Sequence, residues 1–288
     1  MGLNLIVSLV TVLLIALPAE ALAHVKNEET QFPDIEFSDA RFDIVLLAAA
    51  GLIPETPVFE PDRPLSRRDL ASWVALAEGL GEGGETPDTD ALAQAAFGAG
   101  KVQSLNGEAT LGELSAAFFG EQVKVEVAGE TPTKAAAATF LAEHLATPMD
   151  GSTLLARAGV LEGPTGEIRE VRSERTADGD NAYFITIGEM TAPAYQHVRV
   201  ANGPTDLLAW QGRIISRSFT RTFNGQTLWV YLEAESMAAP AASGETGAEQ
   251  RTQAAQTKSI ASSPLFYGLV AGVLVLGVVL FARKRRTP

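Results

Sequence analysis

The sequence predicts a multi-part α+β protein: a helical bundle, then a small antiparallel β-barrel, a disordered stalk and one C-terminal transmembrane helix. Three observations carry this reading. Helix starts of one design recur at Ser66, Thr110 and Thr133, each ahead of an apolar-periodic run. The turn dipeptides Asp178-Gly179 and Asn224-Gly225 each separate two runs of strand character. An apolar run from Leu265 to Ala282 ends directly on Arg283-Lys284-Arg285-Arg286.

At the N-terminus, the apolar run Leu3 to Leu17, Pro18 and the small-residue site Ala21-Leu22-Ala23 read as a secretory signal over residues 1–23, cut before His24. With no Lys or Arg ahead of the run, an uncleaved anchor is the alternative. Residues 24–36 are a short leader. The chain has 288 residues, no cysteine and a net charge of −13. Stability therefore comes from packing rather than disulfides, and an acidic surface without a basic stripe argues against nucleic acid as a partner.

The best-defined stretch runs from Phe59 to Asp69. Pro61 and Pro64 hold an extended loop, and Ser66 with Asp69 forms the reciprocal pattern of a capping box. Leu70, Trp73, Val74, Ala77 and Leu80 then fall on one helical stripe. Upstream, an apolar segment from Phe42 to Ala50 ends at Gly51-Leu52-Ile53. Downstream, Gly81 to Asp90 has linker composition, and Ala91 to Gly100 reads as a helix of small residues. Thr110 with Glu113 repeats the capping logic ahead of Leu111, Leu114 and Phe118, and Thr133 opens a third helix carrying Ala137, Phe140, Leu141 and Leu145 on one face.

These residues resemble the S-layer homology (SLH) module of bacterial envelope proteins. Phe37-Ser38-Asp39 matches the opening of the family pattern, Gly51-Leu52-Ile53 its helix end, Phe59 and Pro61 its loop, and Leu65-Ser66-Arg67-Arg68-Asp69 its second helix start. The likeness covers about residues 37–162, with the starts at Thr110 and Thr133 as degenerate repeats; the family's His-Trp after the opening is missing. The resemblance implies a three-fold bundle whose grooves bind pyruvylated secondary cell-wall polysaccharide. Carried over by motif, the binding residues are Asp39, Ser66 and Arg67, with Lys134 as a weaker counterpart and Leu111 unable to contact an anion. A ketal carboxylate at a helix N-terminus would meet free N–H groups and a guanidinium fork. The bland alternative is that Ser66 is only a cap and Arg67 only a solvated charge.

From about residue 163 to 233 the texture is that of strands. Ile168 to Arg175, Asn181 to Ile187, Arg217 to Phe223 and Gln226 to Leu232 flank the two turns, with Val198 and Val200 in a further strand and Leu207 to Ile215 in a fourth region between the hairpins. Strands this short and closely spaced suggest the barrel. Residues 234–264, rich in Ala, Ser, Gly, Thr, Gln and Glu, read as a flexible stalk with an end-to-end distance near ~30 Å. The run 265–282 is read as a span and 283–288 as a basic cytoplasmic tail. That orientation leaves the N-terminal part outside a single-pass cytoplasmic-membrane protein.

Catalytic signals are thin. His24, His144 and His197 share no metal-ligand spacing, and no nucleophile-elbow motif is present. Asp178 and Asp180 read as turn residues or, less simply, as calcium contacts. No cofactor and no metal are expected. The functional reading is a non-catalytic envelope protein linking wall polysaccharide to the membrane. The alternative is a protein-interaction module with degenerate repeats, in which the β region is the working surface for an envelope protein partner. A tethered hydrolase is the third reading.

Overall fold

A computed structural model describes residues 25–81, 88–149, 151–176 and 181–235. All of them fall in one compact unit, Met1–Met237. Among the described residues six helices come first. Helix α1, Arg41–Ala49, stops where Gly51 takes φ +71. There the Gly51 N–H returns to the Ala48 carbonyl at 3.0 Å and the Leu52 N–H to the Leu47 carbonyl at 2.9 Å, a glycine-terminated end that satisfies the last-turn acceptors.

Helix α2, Arg67–Ala77, and helix α4, Leu111–Phe119, begin with complete capping boxes, Ser66 with Asp69 and Thr110 with Glu113. Helix α5, Lys134–Glu143, has half of one, because Thr133 caps the Ala136 N–H but Ala136 cannot reach back. Helix α3, Thr89–Gly98, is capped by Asp88, and the short α6, Leu154–Arg157, by Thr153.

The strands are β1 Val160–Glu162, β2 Gly166–Arg175, β3 Asn181–Ile187, β4 Met190–Ala201, β5 Ile214–Phe223 and β6 Gln226–Ala234, with a 3-10 turn at Leu207–Trp210. The expected antiparallel barrel is corrected: the strands form a mixed six-stranded sheet in the order β1-β5-β2-β3-β4-β6, with a further β5–β6 pairing. Its parallel pair is β4 with β6, Val200 opposite Leu232. The chain reverses twice between those two strands, once into β5 and once at Asn224-Gly225, so they point the same way. Asn224 and Gly225 both take positive φ, 50 and 80, as a tight hairpin turn needs. Residues 177–180, including Asp178 and Gly179, lie outside the described residues.

The expectation of a helical bundle separate from the strands is corrected as well. One core cluster joins Ile44, Leu47, Trp73, Leu114 and Leu141 from the helices to Val160, Phe219, Val230 and Tyr231 from the sheet. A second packs Ile168, Ile185, Val198, Trp210, Trp229 and Leu232. The segment before α1 stitches the two parts together. Lys26 exchanges backbone hydrogen bonds with Val198 and Val200 of β4, at 3.3 and 2.9 Å. Phe32 and Ile35 are fully buried, and the Phe32 ring meets Phe59 at 5.5 Å.

The expected single-pass membrane protein is also corrected. Among the described residues no helix is long and apolar enough to cross a membrane. The longest, α2, has 11 residues, about 16 Å of helix against the roughly 30 Å of a bilayer core. The run 265–282, on which the span and the cytoplasmic-membrane location rested, lies outside the described residues. So do the signal reading of 1–23, the stalk from residue 236 onward, and the basic tail.

Candidate binding site at the helix junction

The starts of α2, α4 and α5 are tied to one another by a cyclic exchange of hydrogen bonds. The first helical N–H of α2, on Arg67, donates to the Gly107 carbonyl, three residues before the Thr110 cap, at 2.9 Å. That of α4, on Leu111, donates to Glu130, three residues before the Thr133 cap, at 2.7 Å. That of α5, on Lys134, donates to Arg63, three residues before the Ser66 cap, at 2.8 Å. The second N–H groups follow suit in two helices, Gly112 to Ala128 and Ala135 to Pro61, both at 2.9 Å. At the centre, Ala109 donates to Leu65 at 2.8 Å and Leu65 to Pro132 at 2.9 Å. The third bond of that ring is missing because Pro132 has no N–H. Each loop thus caps the next helix in a pseudo-three-fold circuit, and these backbone donors are spent on protein carbonyls rather than offered to a ligand.

Ser66 is inside this circuit. Its Oγ accepts from the Asp69 N–H at 3.0 Å and contacts Asp69 Oδ2 at 2.5 Å, and the same carboxylate oxygen takes Arg63 Nη2 at 2.6 Å. Arg67 leaves α2 toward α4. Its Nε donates to Glu113 Oε1 at 2.9 Å and its Nη1 to the Asn106 carbonyl at 2.9 Å, with the side chain 30% exposed. A cleft of about 270 Å³ opens beside it, floored by Leu70, Val102, Ala116 and Ala117 and bordered by Lys101 and Gln103. Lys101 is held by Glu78 at 2.6 Å. Arg68, one residue on, turns to Asp90 at 2.7 Å instead.

Lys134 holds the position in α5 that Arg67 holds in α2, but it is buried, 6% exposed, with its Nζ 4.7 Å from the Phe59 ring centroid. Burial pushes its ammonium below the usual lysine range. Asp69 pulls the other way, Arg63 adds to the push, and Glu60 and Asp34 offset part of it. Among the described residues it makes no ion pair. Lys134 is therefore a filler of the junction and not a groove residue.

Asp39 lies apart from Arg67, in a wide groove of about 790 Å³ between the start of α1 and the start of α5. Asp43, Asp62, Glu130 and Glu143 share that lining, which contains no Lys or Arg. Burial raises the Asp43 carboxyl above its usual range despite a 2.8 Å hydrogen bond from Thr139. An anionic polymer would be repelled there. Phe37 stands at the same groove, 91% exposed.

The structure brings Ser66 and Arg67 together, sets Lys134 beneath the Phe59 loop, and separates Asp39. Sequence reasoning missed Asp34 and the second role of Glu113. Asp34 braces the Phe59-Glu60 turn through both oxygens, at 2.9 and 2.6 Å, and Glu113 doubles as cap and as Arg67's counter-charge. Only Glu113 left a signal, its capping-box position. Comparison with protein-family models, with curated proteins and with solved structures gave no match.

Proposed function

We propose that the protein is a non-catalytic binding protein of the bacterial cell envelope, built on an SLH-like module, whose groove between α2 and α4 takes an acidic wall polysaccharide of the pyruvylated kind. The observation that carries the reading is the pseudo-three-fold circuit of capped helix starts, which is the arrangement the motif resemblance implies. Of the three equivalent first-turn positions, Leu111 has no charge and Lys134 is buried, so Arg67 is the anchor. Its guanidinium is fixed by Glu113 and Asn106, which leaves Nη2 to face a carboxylate without a search through rotamers. Ser66 positions that turn rather than touching the sugar.

A second reading, an assembly module with the sheet as its working surface, is favoured by the carboxylates around Asp39 and by large apolar side chains left exposed on the sheet side. Leu161, Leu208, Ile214 and Phe223 are 58%, 50%, 41% and 37% exposed. Co-sedimentation of the full chain with purified bacterial cell walls, before and after chemical removal of the secondary polysaccharide, separates the two. Binding that disappears with the polysaccharide supports the first reading; equal retention on stripped walls, or none on intact ones, supports the second.

A further inference from the structure

A cavity of about 280 Å³ lies between the C-terminal end of α1 and strands β4 to β6, away from the helix junction. Lys26, Gly51, Glu55, Tyr195, His197, Arg199 and Arg221 are among its lining residues. Three permanent cations meet one carboxylate there, in a chain whose net charge is −13.

Glu55 is fully engaged. One of its oxygens takes Lys26 Nζ at 2.9 Å and the other Arg199 Nη2. Burial alone would raise its carboxyl, but the charges of Arg199 and Lys26 and their hydrogen bonds outweigh that and hold it below the usual range. Arg199 is 4% exposed and gives its Nη1 to the His197 carbonyl; its Nε–H is buried with no partner.

Arg221 has less compensation. Nη2 donates to the Ala50 carbonyl at 2.8 Å and the Ala158 carbonyl at 3.1 Å, the C-caps of α1 and α6. Those helix ends supply partial negative charge but not a counter-ion. Its Nε–H is also buried and unpaired, and among the described residues it forms no ion pair. Buried donors are nearly always satisfied in folded proteins; two unpaired Nε–H groups, both without accessible surface, mark a basic cluster that its protein partners under-compensate.

We infer that this cavity is a binding site for a small oxyanion, a phosphate or carboxylate group, held by Arg221 and Arg199. A planar guanidinium presents donors in the geometry such groups accept. The volume of about 280 Å³ admits a group of this size. Tyr195, stacked on Phe223 at 5.3 Å, walls one side. This site is independent of the polysaccharide groove.

The test is calorimetric titration of the full chain with inorganic phosphate and, separately, acetate, at constant ionic strength with chloride as the balancing ion. Saturable binding of one equivalent of either oxyanion is expected; phosphate and acetate both behaving like chloride would overturn the site. Arg221→Gln should abolish the binding, and unchanged affinity in a folded Arg221→Gln protein would overturn its placement. Glu55→Gln keeps one acceptor oxygen for one of the two cations that Glu55 holds, turns an amide NH2 toward the other and removes the competing charge, so it should tighten binding about five- to tenfold. That variant decides the matter where Arg221→Gln does not fold, since a purely structural cluster would show no gain.

Discussion

The helix junction and the helix–sheet cavity both gather basic side chains, and they treat them in opposite ways. At the junction Arg63 is paired with Glu60 and Asp69, Arg67 with Glu113, and Arg68 with Asp90. In the cavity, Glu55 serves both Lys26 and Arg199, and among the described residues Arg221 has no carboxylate partner. A basic residue at a helix start is thus first a structural device. What it can offer a ligand is what is left after internal partners are counted: one edge of the fork for Arg67, and in the cavity the positive charge that Glu55 does not balance.

The sharpest way to break the comparison is to dismantle the junction while leaving the cavity intact. Phe59 is 2% exposed and contacts Phe32 and Trp73 at centroid distances of 5.5 and 6.1 Å, with Lys134 over its face. Phe59→Ala should cost about 3 to 5 kcal/mol by the usual scale for buried aromatic truncation. Chemical denaturation measures it, and a loss under about 1 kcal/mol would mean the loop is not held by this ring.

A smaller effect of opposite sign is expected at Lys134. A buried ammonium without an ion pair, at a helix N-terminus, is disfavoured relative to a packed apolar side chain. Lys134→Met should stabilise the protein by about 1 kcal/mol. The pH dependence gives the sign independently. Because the folded-state pKa lies below the unfolded one, the unfolded chain binds more protons in the window between them, and stability rises with pH there. The variant should lack that alkaline rise; an identical slope would show that Lys134 is not the source. The smallest effect is Arg68→Ala, whose exposed pair with Asp90 should change stability by no more than about 0.5 kcal/mol.

Much of the local structure was legible. The boxes at Ser66/Asp69 and Thr110/Glu113, the Gly51 helix end and the Asn224-Gly225 turn depend on side chains and φ angles within a few residues of one another. What escaped depends on partners far along the chain. The parallel β4–β6 pairing joins residues some thirty positions apart across an intervening strand and two chain reversals, so no single local turn announces it. The segment before α1 carries no periodicity, yet it buries Phe32 and Ile35 and bridges to β4. Arg67 was legible as a residue and not as an environment: nothing near it announces Glu113, 46 positions on. Arg199 left a faint trace, as a charge amid the apolar Val198 and Val200, and such an inward charge asks for a partner.

The central claim is that Arg67, and not basic charge in general, anchors an acidic polymer at the junction. Arg67 and Arg68 are adjacent and equally charged, but they point to different surfaces, one beside the α2–α4 cleft and one toward Asp90. The measurement is sedimentation binding of the full chain to polysaccharide-bearing cell walls at fixed salt, with circular dichroism to show that each variant is folded. Arg67→Ala should weaken binding by about 1.5 to 3 kcal/mol, the range for a hydrogen bond to a charged group, while Arg68→Ala stays within about 0.5 kcal/mol. Equal losses in the two variants, or full binding by Arg67→Ala, would contradict the account.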